Sequence, residues 1–352
     1  MLQRPPIRVL VVDDSLSARK AITTILASDP RIVIAGEAVN GLEALALVAS
    51  LQPDVVTMDL EMPVMGGLEA IDRIMAQHPV PILVVTSVTG VRTAFDAMTR
   101  GAMDMVAKPG ADAASRTELV KRVKLLAQMN LHTHPSIKPD PSGPAPGVVR
   151  APQNGAEGRD RPAPAIVAIA ASTGGPQAIQ AILAQLPADF PLPIVVAQHM
   201  ALGFTKGMAD WLDGGTALRV AEARHGDHLR PGTVYLNPAE ASMTVTPQHI
   251  LHLEAPPSSQ IHHPSCDFLL KSVAKAFGGR AMAAILSGMG SDGAAGMRAI
   301  RAAGGLTLAQ DAESSVVFGM NRAAVEAGCI DKVLPLGELP GELIRQAGSG
   351  RG

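Results

Sequence analysis

Hydrophobic positions along residues 1–127 alternate between two rhythms. Ile7–Val12 (IRVLVV) is a mostly apolar run with β-branched residues, of a length that suits a strand buried on both faces. Ser15–Ser28 follows with helical spacing, so that Leu16, Ile22, Ile25 and Leu26 share much of one side. The alternation then recurs. Val33–Ala38, Val55–Asp59, Ile82–Ser87 and Ala102–Lys108 read as strands; Gly41–Leu51, Gly67–Gln77, Val91–Arg100 and Ser115–Ala127 read as helices. Five strand–helix pairs predict a doubly wound parallel sheet for residues 1–127. Residues 128–164 break the pattern with 8 Pro and 4 Gly among 37 residues, which predicts an extended linker. From Ala165 the alternation resumes. Ala165–Ala170, Pro193–Ala197, Arg219–Ala223, Val234–Asn237, Ala281–Ser287, Leu306–Gln310 and Lys332–Leu336 read as strands. Pro176–Leu186, Thr205–Leu212, Asp267–Phe277, Ala294–Ala303 and Asn321–Ala327 read as helices. Ser242–Glu254 alternates like a hairpin with its turn near Pro247-Gln248. A second α/β domain is therefore expected over residues 165–346, with a mostly parallel sheet and a β-hairpin.

Composition narrows the function classes. At 352 residues, with 47% hydrophobic and 18% charged positions, the chain can bury two cores. A formal net charge of −2 gives no basic field for nucleic acid or an anionic membrane, and 2% aromatics argues against base-stacking platforms. No signal peptide and no membrane-spanning run is read, so the cytoplasm is expected. The two cysteines, Cys266 and Cys329, fit a reducing compartment.

In the first domain, Asp13 and Asp14 end the first strand, Asp59 the third and Lys108 the fifth, with Thr86 late in the fourth. Open parallel sheets bind ligands at these carboxyl ends. Three carboxylates brought together call for a hard divalent cation such as Mg²⁺. With it, Asp59 is expected to accept a phosphoryl group, Lys108 to offset its charge and Thr86 to hydrogen-bond an oxygen. The stretches VVDDS, MDLEMPVMGG, VVTS and AKP resemble the response-regulator receiver domain over nearly all of residues 5–127. The resemblance implies Asp59 as phosphoacceptor, Asp13, Asp14 and Asp59 around magnesium, and Thr86 and Lys108 as phosphate-sensing partners. Two positions depart from the family's pattern: Gly66 replaces the Asp usual in the MPxMDG stretch, and Met105 stands where an aromatic switch residue is common.

In the second domain, Ser172 and Thr173 follow the strand AIVAIA within ASTGGP, at a strand-to-helix turn. On residue types alone this is an N-cap, a phosphate loop or a nucleophile turn. His199 follows the strand PIVVA, and Asp292 follows AMAAILS within SGMGSDG. Ser, His and Asp from three strand ends are the set an activated hydroxyl needs. The stretches STGGP, QHM, HHPSCDFLLKSVA, LSGMGSDGAAGM and AQDAESSVVFGMNRAA resemble the chemotaxis protein-glutamate methylesterase domain over essentially residues 165–346. That resemblance implies Ser172 as nucleophile, His199 as general base and acid, and Asp292 as its orienter. It makes the Met289 N–H an oxyanion donor and Thr173 a further site residue. It also implies methylated chemoreceptors as substrate, with deamidation of receptor glutamines beside demethylation. A chemotaxis histidine kinase would be the phosphodonor, Mg²⁺ would serve the receiver only, and the ester chemistry would use no cofactor. The rivals are a phosphorylation-controlled binding module without catalysis and a nucleotide-dependent α/β enzyme.

Cys266 stands where an aliphatic residue is common and is read as a small buried hydrophobe. His132 with His134, His225 with His228 and His262 with His263 are read as solvated or packing residues, since no further ligand spacing completes a metal site around them.

Overall fold

The computed structural model describes residues 5–87, 91–110, 112–128, 161–257 and 262–348. The chain divides into two compact units between Pro141 and Ser142. Most of the expected linker, with His132 and His134, lies outside the described residues. Its last part is fixed to the second unit: Arg161 pairs with Asp331 at 2.8 Å and donates to the Gly304 carbonyl at 3.2 Å.

The first unit alternates β1 (Ile7–Val12), α1 (Leu16–Ala27), β2 (Ile32–Ala38), α2 (Gly41–Leu51), β3 (Val55–Met58), α3 (Gly67–Gln77), β4 (Ile82–Thr86), α4 (Val91–Thr99), β5 (Asp104–Ala107) and α5 (Ala113–Leu126). The strands form one parallel sheet in the order β2-β1-β3-β4-β5. Two-residue periodicity explains both cores. Leu10 and Val12 of β1 enter the core shared with Ala44, Ile71 and Met98, while Val9 and Val11 enter the opposite one with Ile22, Leu119 and Val123. Ser15, Asn40 and Asp112 cap α1, α2 and α5 through their side chains. The chain leaves β1 for β2 on one side and β3 on the other, so the switch in strand order falls at the carboxyl end of β1.

The second unit contains β6 (Ile166–Ala171), α6 (Gly175–Leu183), β7 (Ile194–Gln198), α7 (Thr205–Asp213), β8 (Arg219–Glu222), β9 (Thr233–Leu236), β10 (Ser242–Val245) and β11 (Leu251–Glu254). It continues through α8 (Cys266–Phe277), β12 (Ala281–Ile285), α9 (Ala294–Ala302), β13 (Leu306–Gln310), α10 (Met320–Glu326), β14 (Lys332–Leu334) and α11 (Leu339–Gly348). Seven strands form a parallel sheet in the order β14-β13-β12-β6-β7-β9-β8. β10 and β11 make the separate antiparallel hairpin, with Val245 opposite Leu251. Its Met243, Val245 and Leu251 pack into the core with Leu269 and Val273 of α8 and the small residues Ala168, Ala170 and Ala283 of the sheet. β6 is flanked by β7 and β12, so this switch point lies at its carboxyl end.

Six expected strands are shorter than their sequence reading: Arg219–Ala223 and Lys332–Leu336 end at Glu222 and Leu334, and four others end beside the candidate sites. The ladders stop at Met58, Thr86, Ala107 and Ile285. Asp59, Ser87, Lys108 and Ser287 lie just beyond them, where side chains are free of the pleat. The sequence reading contained no counterpart of α11, whose first turn holds Pro340 and Gly341. Proline is tolerated in a helix's first turn, where its missing N–H has no intrahelical partner, and Leu339, Leu343 and Ala347 bury one face.

Candidate functional sites

The first cluster forms at the carboxyl edge of the five-stranded sheet. Asp13 is fully buried and Asp59 nearly so, while Asp14 is exposed. One oxygen from each of the three lies within 4.8 Å of the others. Lys108 Nζ reaches Asp13 Oδ2 and Asp59 Oδ2, each at 2.8 Å. Burial pushes the Asp59 carboxyl above its ordinary range, and the neighbouring Asp13 charge adds to this, against the lowering pull of Lys108. Burial also works against the Lys108 charge, but the two carboxylates outweigh it and raise its pKa. Thr86 touches this cluster through its backbone, its carbonyl accepting from the Lys108 N–H at 2.8 Å. Its hydroxyl donates to the Ser87 carbonyl at 3.4 Å, not to Asp59. The all-oxygen donor set, with one exposed carboxylate, fits Mg²⁺, which retains several waters. Gly66 is the N-cap of α3 and supplies no side-chain cap. Met105 is half-buried against the core containing Ile71 and Met98.

The second cluster forms at the switch point of the seven-stranded sheet. Ser172 follows β6, and its N–H donates to the Ser287 carbonyl at 3.0 Å. Gly174 caps α6 at φ 75°, a conformation costly for a residue with a side chain, which lets the chain turn from strand to helix within three residues. His199 follows β7, and its N–H donates to the Ala171 carbonyl at 3.0 Å, which sets it beside Ser172. Its Nε2 lies 2.8 Å from Asp292 Oδ2. Ser172, His199 and Asp292 are all buried. The loop after β12 crosses close over the nucleophile: a Cβ on Gly288 would lie 2.8 Å from Ser172 Cβ. Met289 follows Gly288 in that loop and is exposed. Thr173 is buried, and its carbonyl accepts from Ser287 Oγ at 2.7 Å.

Sequence reading missed the groups that hold this set. Asp292 Oδ2 also accepts from Cys266 N–H at 2.8 Å, and Oδ1 accepts from Asp267 N–H at 3.0 Å and Ser265 Oγ at 3.2 Å. Cys266 and Asp267 open α8, so Asp292 caps that helix from another element. Asp267 Oδ1 in return accepts from Gly293 and Gly296 N–H at 2.9 and 2.7 Å, at the start of α9. Burial works against the Asp292 charge, but the His199 bond and these N–H groups prevail and hold its pKa at about 2. Gln198 Nε2 donates to the Ser172 and His199 carbonyls at 2.8 and 2.9 Å, tying the two turns together. The hydroxyl in the Ser-Cys-Asp-Phe stretch was a legible N-cap signal for α8; nothing local marked its link to Asp292.

Cys266 Sγ lies 3.5 Å from His199 Nε2, and His199, Cys266 and Asp292 bring ligand atoms within 4.8 Å. Metal ligation is disfavoured: each Asp292 oxygen already accepts two bonds, and burial pushes the fully buried thiol well above its ordinary pKa. Cys266 packs as a small buried residue. His225 lies 5.0 Å from His252, with its Nδ1 3.2 Å from the Leu253 carbonyl oxygen, and the His228 backbone bridges Ile250; both residues are exposed. His262 differs. Its ring stacks on His199, with centroids 4.9 Å apart and planes 6° from parallel.

Both units match known families. The model of the CheB methylesterase family matches residues 167–343, and that of the response regulator receiver domain matches residues 9–124. A protein-glutamate methylesterase/protein-glutamine glutaminase 3 of Paramagnetospirillum magneticum is 48% identical over 354 residues, covering 100% of this chain and 99% of its own. A protein-glutamate methylesterase/protein-glutamine glutaminase of Geobacillus kaustophilus is 40% identical, covering 97% and 99%. The crystal structure of the Thermotoga maritima CheB methylesterase catalytic domain is 39% identical with a TM-score of 0.50, covering 52% of this chain and 98% of that one.

Proposed function

The chain belongs to the CheB methylesterase family, and from that premise we propose that it hydrolyses methyl esters of glutamate side chains on chemoreceptors, under phosphorylation control. The observation that carries the reading is the 2.8 Å His199–Asp292 pair set beside Ser172 at the switch point. Asp292 engages Nε2, so Nδ1 is the ring nitrogen that takes the Ser172 proton. Ser172 Oγ attacks the ester carbonyl while the Met289 N–H faces the developing oxyanion. His199 returns the proton to the leaving methoxide, and methanol departs. Water, deprotonated by His199, then cleaves the glutamyl-serine ester and restores the hydroxyl. The same steps on a primary amide release ammonia, so receptor glutamine is a second substrate. The ester chemistry uses no cofactor.

In the receiver unit, Asp59 attacks the phosphorus of a phosphodonor, for which a chemotaxis histidine kinase is the natural source. Asp13, Asp14 and Asp59 would hold Mg²⁺, which supplies charge neutralisation when bound. Lys108 balances the added negative charge, and Thr86 turns its hydroxyl toward the phosphoryl group. No helix among the described residues is long and apolar enough to cross a membrane, and the proposed site of action is the cytoplasm. A binding module without catalysis would have no use for a desolvated His–Asp pair beside a serine. The test is methanol release from methylated receptor by the full-length protein, with and without a small phosphodonor. Wild type should release methanol faster with phosphodonor, Asp59→Asn should lose that stimulation, and a folded Ser172→Ala protein should release none. Near-wild-type release by Ser172→Ala would overturn the nucleophile assignment.

A further inference from the structure

We propose that His262 is a positioning residue that fixes the plane of the catalytic imidazole. The proposal rests on the reading of His199 as the general base. A hydrogen bond from Nε2 to Asp292 does not by itself aim Nδ1. Nε2 lies closer to the axis of the Cβ–Cγ bond than Nδ1 does, so rotation about that bond swings Nδ1 more than it lengthens the Asp292 contact. A flat ring lying parallel to His199, at 4.9 Å and 6°, opposes that rotation.

The segment carrying His262 is itself anchored to the two residues it serves. The Met200 N–H, next to His199, donates to the His263 carbonyl at 3.0 Å. Ser265 Oγ donates to Asp292 Oδ1, and the N–H groups of Cys266 and Asp267 complete the Asp292 cradle. The stretch from His262 to Asp267 thus holds the base by its face and the orienter by both oxygens. A ring that merely filled space would need neither the parallel plane nor this double attachment.

Stacking and volume are separable by substitution in the full-length protein. His262→Ala removes the face, His262→Leu fills the space without a flat surface, and His262→Phe restores one. kcat and KM for methanol release are measured on methylated receptor, with thermal unfolding to establish that each variant is folded. Ala and Leu should lower kcat roughly 10- to 100-fold, the order expected for a misaligned reacting group, with KM changed less than about 3-fold. Phe should recover most of the lost kcat. Wild-type kcat in folded His262→Ala, or a Leu variant as active as Phe, would overturn the proposal. Ser172→Ala assayed in parallel separates the two failures. Turnover there sinks the triad itself, whereas an inactive Ser172→Ala beside a fully active His262→Ala sinks only the positioning role.

Discussion

Replacing Asp292 by asparagine keeps the shape of the side chain and removes one acceptor and the charge. In the native site Oδ2 serves His199 Nε2 and Cys266 N–H, and Oδ1 serves Asp267 N–H and Ser265 Oγ. An amide must turn its NH₂ toward one of these pairs. If it faces Asp267 and Ser265, the Ser265 hydroxyl can rotate to accept, but the Asp267 N–H loses its partner. If it faces His199, Nε2 must accept, the ring proton moves to Nδ1, and Nδ1 can no longer take the Ser172 proton. Either way the imidazolium formed during attack loses its counter-charge. An orienting carboxylate replaced by its amide in a serine-histidine-aspartate set costs about 10⁴ in kcat. For Asp292→Asn we expect a loss of about 10³- to 10⁴-fold, or about 4–5.5 kcal/mol of barrier. Folding stability should fall by about 1–3 kcal/mol, the cost of a buried donor left without an acceptor. Methanol release and denaturant unfolding of the same preparations measure both. More than one-tenth of wild-type kcat in Asp292→Asn would refute the tautomer argument. Unchanged stability would refute its capping of α8.

Acid should weaken the catalytic unit over a defined window. Asp292 has a folded-state pKa of about 2, below its ordinary value of 3.8, so its stabilising contribution is complete above about pH 4 and is lost as pH falls through about 2; unfolding monitored between pH 5 and 2 should show the loss, and show less of it in Asp292→Asn. In the receiver unit, Gly66 caps α3 at φ −74° and ψ 164°, and a Cβ there meets nothing closer than the Leu60 carbonyl at 3.4 Å. Gly66→Asp should therefore add a side-chain cap and raise stability by a few tenths of a kcal/mol, read from the urea midpoint; a destabilised variant would refute the capping argument.

The residue types at the strand ends were legible because each signal is local. An apolar run that ends in Asp13, Asp59, Ser172 or His199 announces both the strand and the rim on which its last side chain sits. The strands' mutual order was not local. β12 pairs with β6 across more than 100 residues, and only that pairing turns Asp292 into a neighbour of Ser172 and His199. The histidines show the same limit. His225 and His262 look alike in sequence, each in a polar loop near a second histidine, yet one packs on the hairpin and the other lies flat on the catalytic ring.

The same long-range pairing explains why the orienting carboxylate also serves as structure. Asp292 caps α8 and Asp267 caps α9, each helix opening on the other's acid. A carboxylate bound by N–H groups at a helix start is ionised, desolvated and aimed before any substrate arrives. The burial that would otherwise push its pKa up is offset by bonds the fold needs in any case, and this keeps Asp292 ionised well above its pKa of about 2 without a solvent shell to reorganise. Loosening either helix start should therefore reach the imidazole through Asp292, so turnover and helix capping belong to one cooperative unit.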